Sequence, residues 1–173
     1  ELSISDHLKI IKRCKQKDIK FLSSPFDFKS IDLLKKLKLN LFKIPSGEIT
    51  NISYLRKIGA LKKKIILSTG MSNTEEIKKA IKTLISSGTK KKNITILHCS
   101  SEYPANKNNL NLLSIPFMKN KFNINVGYSD HSLGLQASFT AVALGATVIE
   151  KHFTTNKRLS GPDQSASLSS KEL

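Results

Sequence analysis

Two histidines carry the clearest chemical signal in this chain of 173 residues. His131 lies in Tyr-Ser-Asp-His, and His152 follows 21 positions later in Glu-Lys-His-Phe-Thr. A neutral imidazole is a common ligand for a divalent metal, and two imidazoles on one face can share one ion. Two protein nitrogens leave positions open for a substrate oxygen and water, so the metal can act as a Lewis acid on a carbonyl. Imidazoles with hard oxygen partners suit manganese or magnesium, and the nitrogens favour manganese. A single buried histidine is more often a hydrogen-bonded core residue, so the metal reading depends on the two meeting.

The segment between them says that they meet. The β-branched runs Ile124 to Val126 and Ala146 to Ile149 precede the two histidines, and Leu133 to Gly145 reads as an apolar helix closed by a glycine. That is strand, helix, strand, with one histidine at the C-terminal end of each strand. If the strands pair in parallel, their backbones lie ~4.8 Å apart. Side chains alternate along a strand. Val148, Glu150 and His152 therefore share one face, while Ile149, Lys151 and Phe153 share the other. The same rule groups Gly127, Ser129 and His131. The face with the histidines must look into the site. Glu150 either backs the metal or holds a substrate, and both readings stay open. Asp130 either joins the site or caps a helix starting at Ser132.

Strand and helix alternate along the rest of the chain too. Helices are expected over Ser5 to Gln16 (Leu8, Ile11 and Cys14 inward), Ser30 to Leu39, Asn51 to Ile58, Ser72 to Ser87 and Leu110 to Asn120. Strands are expected over Ile19 to Ser24, Leu41 to Ile44, Lys64 to Leu67 and Ile94 to Cys99. With the two histidine strands this makes six β/α units. Such alternation implies a parallel sheet covered by helices. No Gly-rich dinucleotide fingerprint follows any strand. All six strand ends carry polar or small residues, and polar groups converging from many strand ends mark a (β/α)8 TIM barrel. The expected fold is thus α/β, with about six of eight barrel units in residues 1–173. The first two strands and the last helix would then lie outside the chain.

The formal charge is +16, but 26 of the 29 basic residues are lysine and only Arg13, Arg56 and Arg158 are arginine. Base-edge and bidentate phosphate readout favours arginine. The lysines cluster on helix surfaces and loops, as in Lys62-Lys63-Lys64 and Lys90-Lys91-Lys92. A nucleic-acid partner is therefore not expected, and the charge serves instead to attract anionic substrates. No window reaches the ~18 apolar residues of a membrane span, and residues 1–6 show no signal-peptide pattern. Cys14 and Cys99 read as reduced thiols of a cytoplasmic protein.

Six motifs then come in order. They are Phe42-Lys-Ile-Pro-Ser-Gly-Glu-Ile-Thr-Asn51, Ile66-Leu-Ser-Thr-Gly-Met71, Leu97-His-Cys-Ser-Ser-Glu-Tyr-Pro104, Val126-Gly-Tyr-Ser-Asp-His-Ser-Leu-Gly134, Ala141 to Thr154, and Gly161-Pro-Asp-Gln-Ser-Ala-Ser-Leu168. Together they resemble the bacterial sialic acid synthase family (N-acetylneuraminate synthase and its relatives) over nearly the whole chain.

The resemblance implies a TIM-barrel transferase that condenses phosphoenolpyruvate with N-acetylmannosamine or a related N-acetylated amino sugar and releases phosphate. Relatives make legionaminic and pseudaminic acids. Pseudaminate-type members tend to have Ser-Phe-Glu where this chain has Ser46-Gly47-Glu48, which favours the sialic or legionaminic side. The resemblance also implies a cytoplasmic homodimer with a C-terminal antifreeze-like domain, which residues 1–173 do not include.

By that resemblance His131 and His152 hold the metal, and Glu150 stands with them in the catalytic set. Ser46, Ser68 and Ser100 or Ser101 match the family's anion-binding positions for phosphoenolpyruvate, with Lys43 as the candidate charge partner. Ser129 is placed among the substrate-binding residues, and Tyr103 and Asp163 match positions that contact the amino sugar. Lys43 ends an apolar strand, where an unpaired lysine is costly, so an anion partner is expected for it. The turn after Ser68 also offers backbone N–H groups to an anion. Two other readings compete. A Schiff-base aldolase would need Lys43 or Lys151 as nucleophile, and Lys151 alternates away from the site. An inactive sugar- or phosphate-binding barrel would keep the fold without the reaction.

Overall fold

The computed structural model describes residues 2–173. Five parallel strands form one sheet in chain order: β1 Leu41–Ile44, β2 Lys64–Ser68, β3 Ile94–Cys99, β4 Asn125–Asp130 and β5 Ile149–Lys151. Helices α1 Ile4–Gln16 and α2 Phe28–Lys36 precede the sheet. The crossovers contain α3 Ile52–Gly59, α4 Thr74–Ser86, α5 Ser114–Phe122 and α6 Gln136–Ala143.

Each helix starts where the sequence offers a cap or stops where it offers a break. Asn73 accepts from Glu75 and Glu76 N–H, and Glu76 returns a carboxylate to Asn73 N–H, so α4 opens with a capping box. Gly88, at φ +120°, lets the chain turn away after α4.

The register divides the sheet into two faces. Phe42, Ile44, Ile65, Leu67, Ile94, Ile96, Val126 and Tyr128 are buried under the helices and form the core. The opposite face carries Lys43, Ser68, Cys99, Ser129 and Glu150; Cys99 pairs with Ser129, and Ser129 with Glu150. The sheet is strongly curled. Lys43 on β1 reaches Glu150 on β5 at 3.1 Å, a chord that a flat sheet of five strands ~4.8 Å apart could not make. The architecture is a parallel α/β half-barrel with its polar face on the concave side.

Five strands are present among the described residues, not six. The expected strand at Ile19–Ser24 makes no ladder. A cavity of about 680 Å³ is lined by Asp18 to Phe21 on one side and Lys38 to Leu41 on the other. Leu8 is exposed, and α1 buries no residue. Its apolar stripe has only the Phe21 region to pack on. The helix expected from Leu110 starts at Ser114, because residues 100–113 are taken up by a polar loop over the site. Strand β4 runs on to Asp130 and β5 centres on Ile149–Lys151, since their polar residues face partners across the ladder rather than ending it.

Candidate active site

The ladder between β4 and β5 ends at Asp130↔Lys151, and His131 and His152 are the next inward residues of each strand. Their ring centroids are 5.6 Å apart with the planes at 51°. Gly127 allows this. A Cβ there would lie 2.4 Å from the Val148 carbonyl and 2.6 Å from Leu97, so only glycine lets β5 approach β4 this closely.

Protons decide what His131 can do. Its Nδ1 is 2.6 Å from the Ser100 carbonyl. A carbonyl only accepts, so Nδ1 donates. Burial holds the ring below the usual imidazole range, and His152 pushes the same way against the Ser100 hydrogen bond. A neutral ring protonated at Nδ1 has a bare lone pair at Nε2. That lone pair faces Ser129 Oγ at 3.2 Å, while the Ser129 proton goes to Glu150 Oε1 at 2.7 Å. One hydroxyl proton cannot serve both Nε2 and Glu150, so with it on Glu150 the imidazole keeps a lone pair available, and this donor set fits a divalent metal. His152 lies with Nδ1 3.9 Å from Asp163 Oδ2, too far for a hydrogen bond. Among the described residues, no set of three or more histidine, cysteine or carboxylate side chains is arranged around one point.

Glu150 is the hub of the polar face. It accepts from Ser129 and pairs with the buried Lys43. The anion partner expected for Lys43 is present within the fold itself: the curl brings it Glu150, 107 positions away and beyond any local pattern. Burial pushes the Cys99 thiol up, opposed by the Gly70 N–H, Lys43 and Ser68 beside it. Cys99 was not foreseen as part of this face. Strand parity carries the signal, because Cys99 is in register with Ser129.

Tyr103 stacks on His131, with centroids 3.9 Å apart at 26°, and meets His152 edge-on at 5.6 Å. Burial raises its phenol pKa, so the hydroxyl stays a donor. The loop carrying it is fastened by Ala105 N–H to the His131 carbonyl at 2.9 Å.

The serines divide into two groups. Ser46 and Ser101 converge on Gly70: a Cβ at Gly70 would lie 2.8 Å from Ser46 Oγ and 3.7 Å from Ser101 Oγ. Ser68 is buried at the end of β2. Ser100 enters the site through its carbonyl, and its hydroxyl is the acceptor of a 3.4 Å contact from Glu102 N–H. The first two amides of the turn after Ser68 are already engaged. Thr69 N–H goes to the Leu97 carbonyl at 3.0 Å and Gly70 N–H to Cys99 Sγ at 3.1 Å; α4 is capped by Asn73, not Ser68.

Asp130 points to the outer face with Lys151, 3.0 Å away. It takes Ser132 N–H as a cap would, but α6 begins only at Gln136. Ser129, His131, Glu150, Lys151 and His152 line a cavity of about 120 Å³. That is room for reacting atoms, not for whole substrates. Larger clefts lie between helices, such as one of about 600 Å³ by Ile81, Ile85 and Phe122, and hold none of these groups.

The N,N'-diacetyllegionaminic acid synthase of Campylobacter jejuni is 55% identical over 173 residues, all of this chain and 52% of the relative. The enzyme of that name from Legionella pneumophila is 42% identical over 175 residues, covering 100% of this chain and 49% of the relative. The crystal structure of N-acetylneuraminic acid (sialic acid) synthetase from Leptospira borgpetersenii, in complex with citrate, superposes with a TM-score of 0.94 at 35% identity, covering 99% of this chain and 59% of that one. This chain thus spans about half the length of the curated relatives it matches. The NeuB family model matches residues 1–173, and the chain belongs to the NeuB family.

Proposed function

We propose that this chain carries the catalytic centre of a nonulosonate synthase, which condenses phosphoenolpyruvate with an N-acetylated amino sugar and releases phosphate. The observation that supports this most is the histidine pair: imidazoles 5.6 Å apart, with a bare Nε2 beside the Lys43–Glu150–Ser129 array. His131 and His152 would hold a divalent metal, with manganese favoured over magnesium by the nitrogen ligands. When bound, the metal supplies a Lewis acid for the sugar aldehyde that the phosphoenolpyruvate carbon attacks.

The chain's own residues do the rest. Lys43 offers fixed positive charge to the phosphate or carboxylate, sharing it with Glu150 until the anion arrives. Ser46, Ser68 and Ser101 add hydroxyl donors on that side, and Ser129 stands between Glu150 and the metal position. Tyr103 and Asp163 flank the histidines on the side where the sugar would enter. Of the two aldolase nucleophiles, Lys151 directs its ammonium to Asp130 on the outer face, whereas Lys43 lies on the concave face with Glu150, so that alternative rests on Lys43. The same reading takes the five-stranded curl as part of an eight-stranded barrel. A homodimeric, cytoplasmic setting rests on the family resemblance alone.

Two relatives named for N,N'-diacetyllegionaminic acid favour a di-N-acetylated acceptor over N-acetylmannosamine. The test is phosphate release from phosphoenolpyruvate with manganese and each sugar in turn. Release that requires a sugar supports a synthase, and faster turnover with the di-N-acetylated sugar supports the legionaminate assignment. Binding of both substrates without phosphate release would favour the inactive binding barrel. Borohydride trapping of a sugar adduct on Lys43 would favour the aldolase.

A further inference from the structure

We propose that the buried Asp130–Lys151 pair is a positioning clamp that sets the separation of His131 and His152. This inference rests on the metal-site reading above and goes beyond it, since the ion pair itself lies on the outer face of the sheet, with Lys151 also bordering the cavity of about 120 Å³. Asp130 is fully buried, the Lys151 side chain is 7% exposed, and their charged atoms lie 3.0 Å apart. Ser138, which reaches Asp130 from α6, lies between Ala137 and Ala141, both buried.

The pair is completely satisfied. Asp130 Oδ1 accepts from Ser132 N–H at 2.9 Å and Ser132 Oγ at 2.7 Å, and Oδ2 accepts from Ser138 Oγ at 2.6 Å. Lys151 Nζ also donates to the Ser132 carbonyl at 2.7 Å and contacts the Asp130 carbonyl at 3.5 Å. One knot thus ties the end of β4, the following turn, α6 and the end of β5. A buried ion pair seldom adds stability over apolar side chains of similar size. What it adds is a fixed geometry.

Other contacts hold each histidine separately, Ala105 N–H and the Ser100 carbonyl for His131 and Leu168 N–H at 2.8 Å for His152, but they do not tie the two together. Strand β5 has three residues, and its ladder with β4 ends at Asp130↔Lys151, one residue short of both histidines. Beyond that rung no ladder holds the two strands together. Ser129–Glu150 braces the rungs on the inner face, and Asp130–Lys151 braces the last rung on the outer face. Both histidines project from the residue that follows this clamp. A partner that orients a metal ligand typically matters ~10–100-fold in metal affinity.

The test replaces both charges by apolar groups, Asp130→Leu with Lys151→Met, in the full chain, and titrates Mn²⁺ by the electron paramagnetic resonance signal of the free ion. A double variant that melts like the parent but binds Mn²⁺ at least ~10-fold more weakly is the expected result. Unchanged affinity would overturn the clamp. If the double variant does not fold, Ser138→Ala, which removes a single hydrogen bond to Asp130, takes its place with the same two outcomes. If the parent itself binds no Mn²⁺, the metal reading fails. The clamp is then judged on the crystal structure of the variant: imidazole centroids still 5.6 Å apart would overturn it, and separated rings would support it.

Discussion

Lys43, buried at the end of β1, needs an anionic partner, and the fold supplies one in Glu150 at 3.1 Å. An incoming phosphate therefore competes with a carboxylate already in place. Removing the ammonium removes a charge-assisted contact worth ~1.5–3 kcal/mol, roughly tenfold to a hundredfold in binding. Lys43→Ala should raise the phosphoenolpyruvate KM by that factor and change the sugar KM far less. Steady-state titration of each substrate is the check, and equal effects on both would remove Lys43 from the anion site. The histidine pair was legible because both residues close β-branched runs one β/α unit apart. The proton inventory was not. It depends on the Ser100 carbonyl, 31 positions away from His131, and no side-chain pattern marks a backbone acceptor.

At the level of elements, the strands with strong apolar alternation were readable to the residue: Leu41–Ile44 and Ile94–Cys99 match their expected bounds. The readings that changed lie where polar residues continue a strand or where a partner is missing. β4 keeps its ladder through Gly-Tyr-Ser-Asp because Ser129 and Asp130 each find a partner on β5. The segment 19–24 joins no ladder, and a cavity lies between its start and β1. Close approach of β4 and β5 depends on Gly127, where a Cβ would meet the Val148 carbonyl at 2.4 Å. A backbone atom cannot rotate away, so Gly127→Ala must push the strands apart. Overpacking of this kind costs ~1–3 kcal/mol. A lowered melting temperature together with weakened metal binding is expected, and a variant that melts and binds like the parent would show that the two strands have slack.

Across the whole molecule, charge is divided between two faces of the sheet. The concave face holds Lys43 and Glu150, the outer face Asp130 and Lys151, and most of the lysines lie on exposed surface. Burial alone would raise the Asp130 carboxyl, but hydrogen bonds from Ser138 and Ser132 together with Lys151 outweigh it and hold the group below the usual carboxylate range. A carboxyl depressed in the fold stabilises the folded state at pH values above its unfolded pKa, ~3.9, and that contribution is lost as pH falls through the folded value. His131, kept neutral by burial, acts with the same sign: stability is lost as pH falls from ~6.5 toward its lowered folded value. Melting temperatures should therefore decline in two stages on acidification, and Asp130→Asn should flatten the lower stage. An unchanged lower stage would assign it to other carboxylates.

The central claim is that His131 and His152 together hold a metal on which synthase chemistry depends. It is tested most directly by phosphate release from phosphoenolpyruvate and amino sugar after chelation, and again after manganese is restored, for the parent, His131→Ala and His152→Ala. Activity lost on chelation and regained with manganese in the parent, and absent from both variants under either condition, is the expected result. Full activity in the metal-free parent, or in either variant, would contradict it.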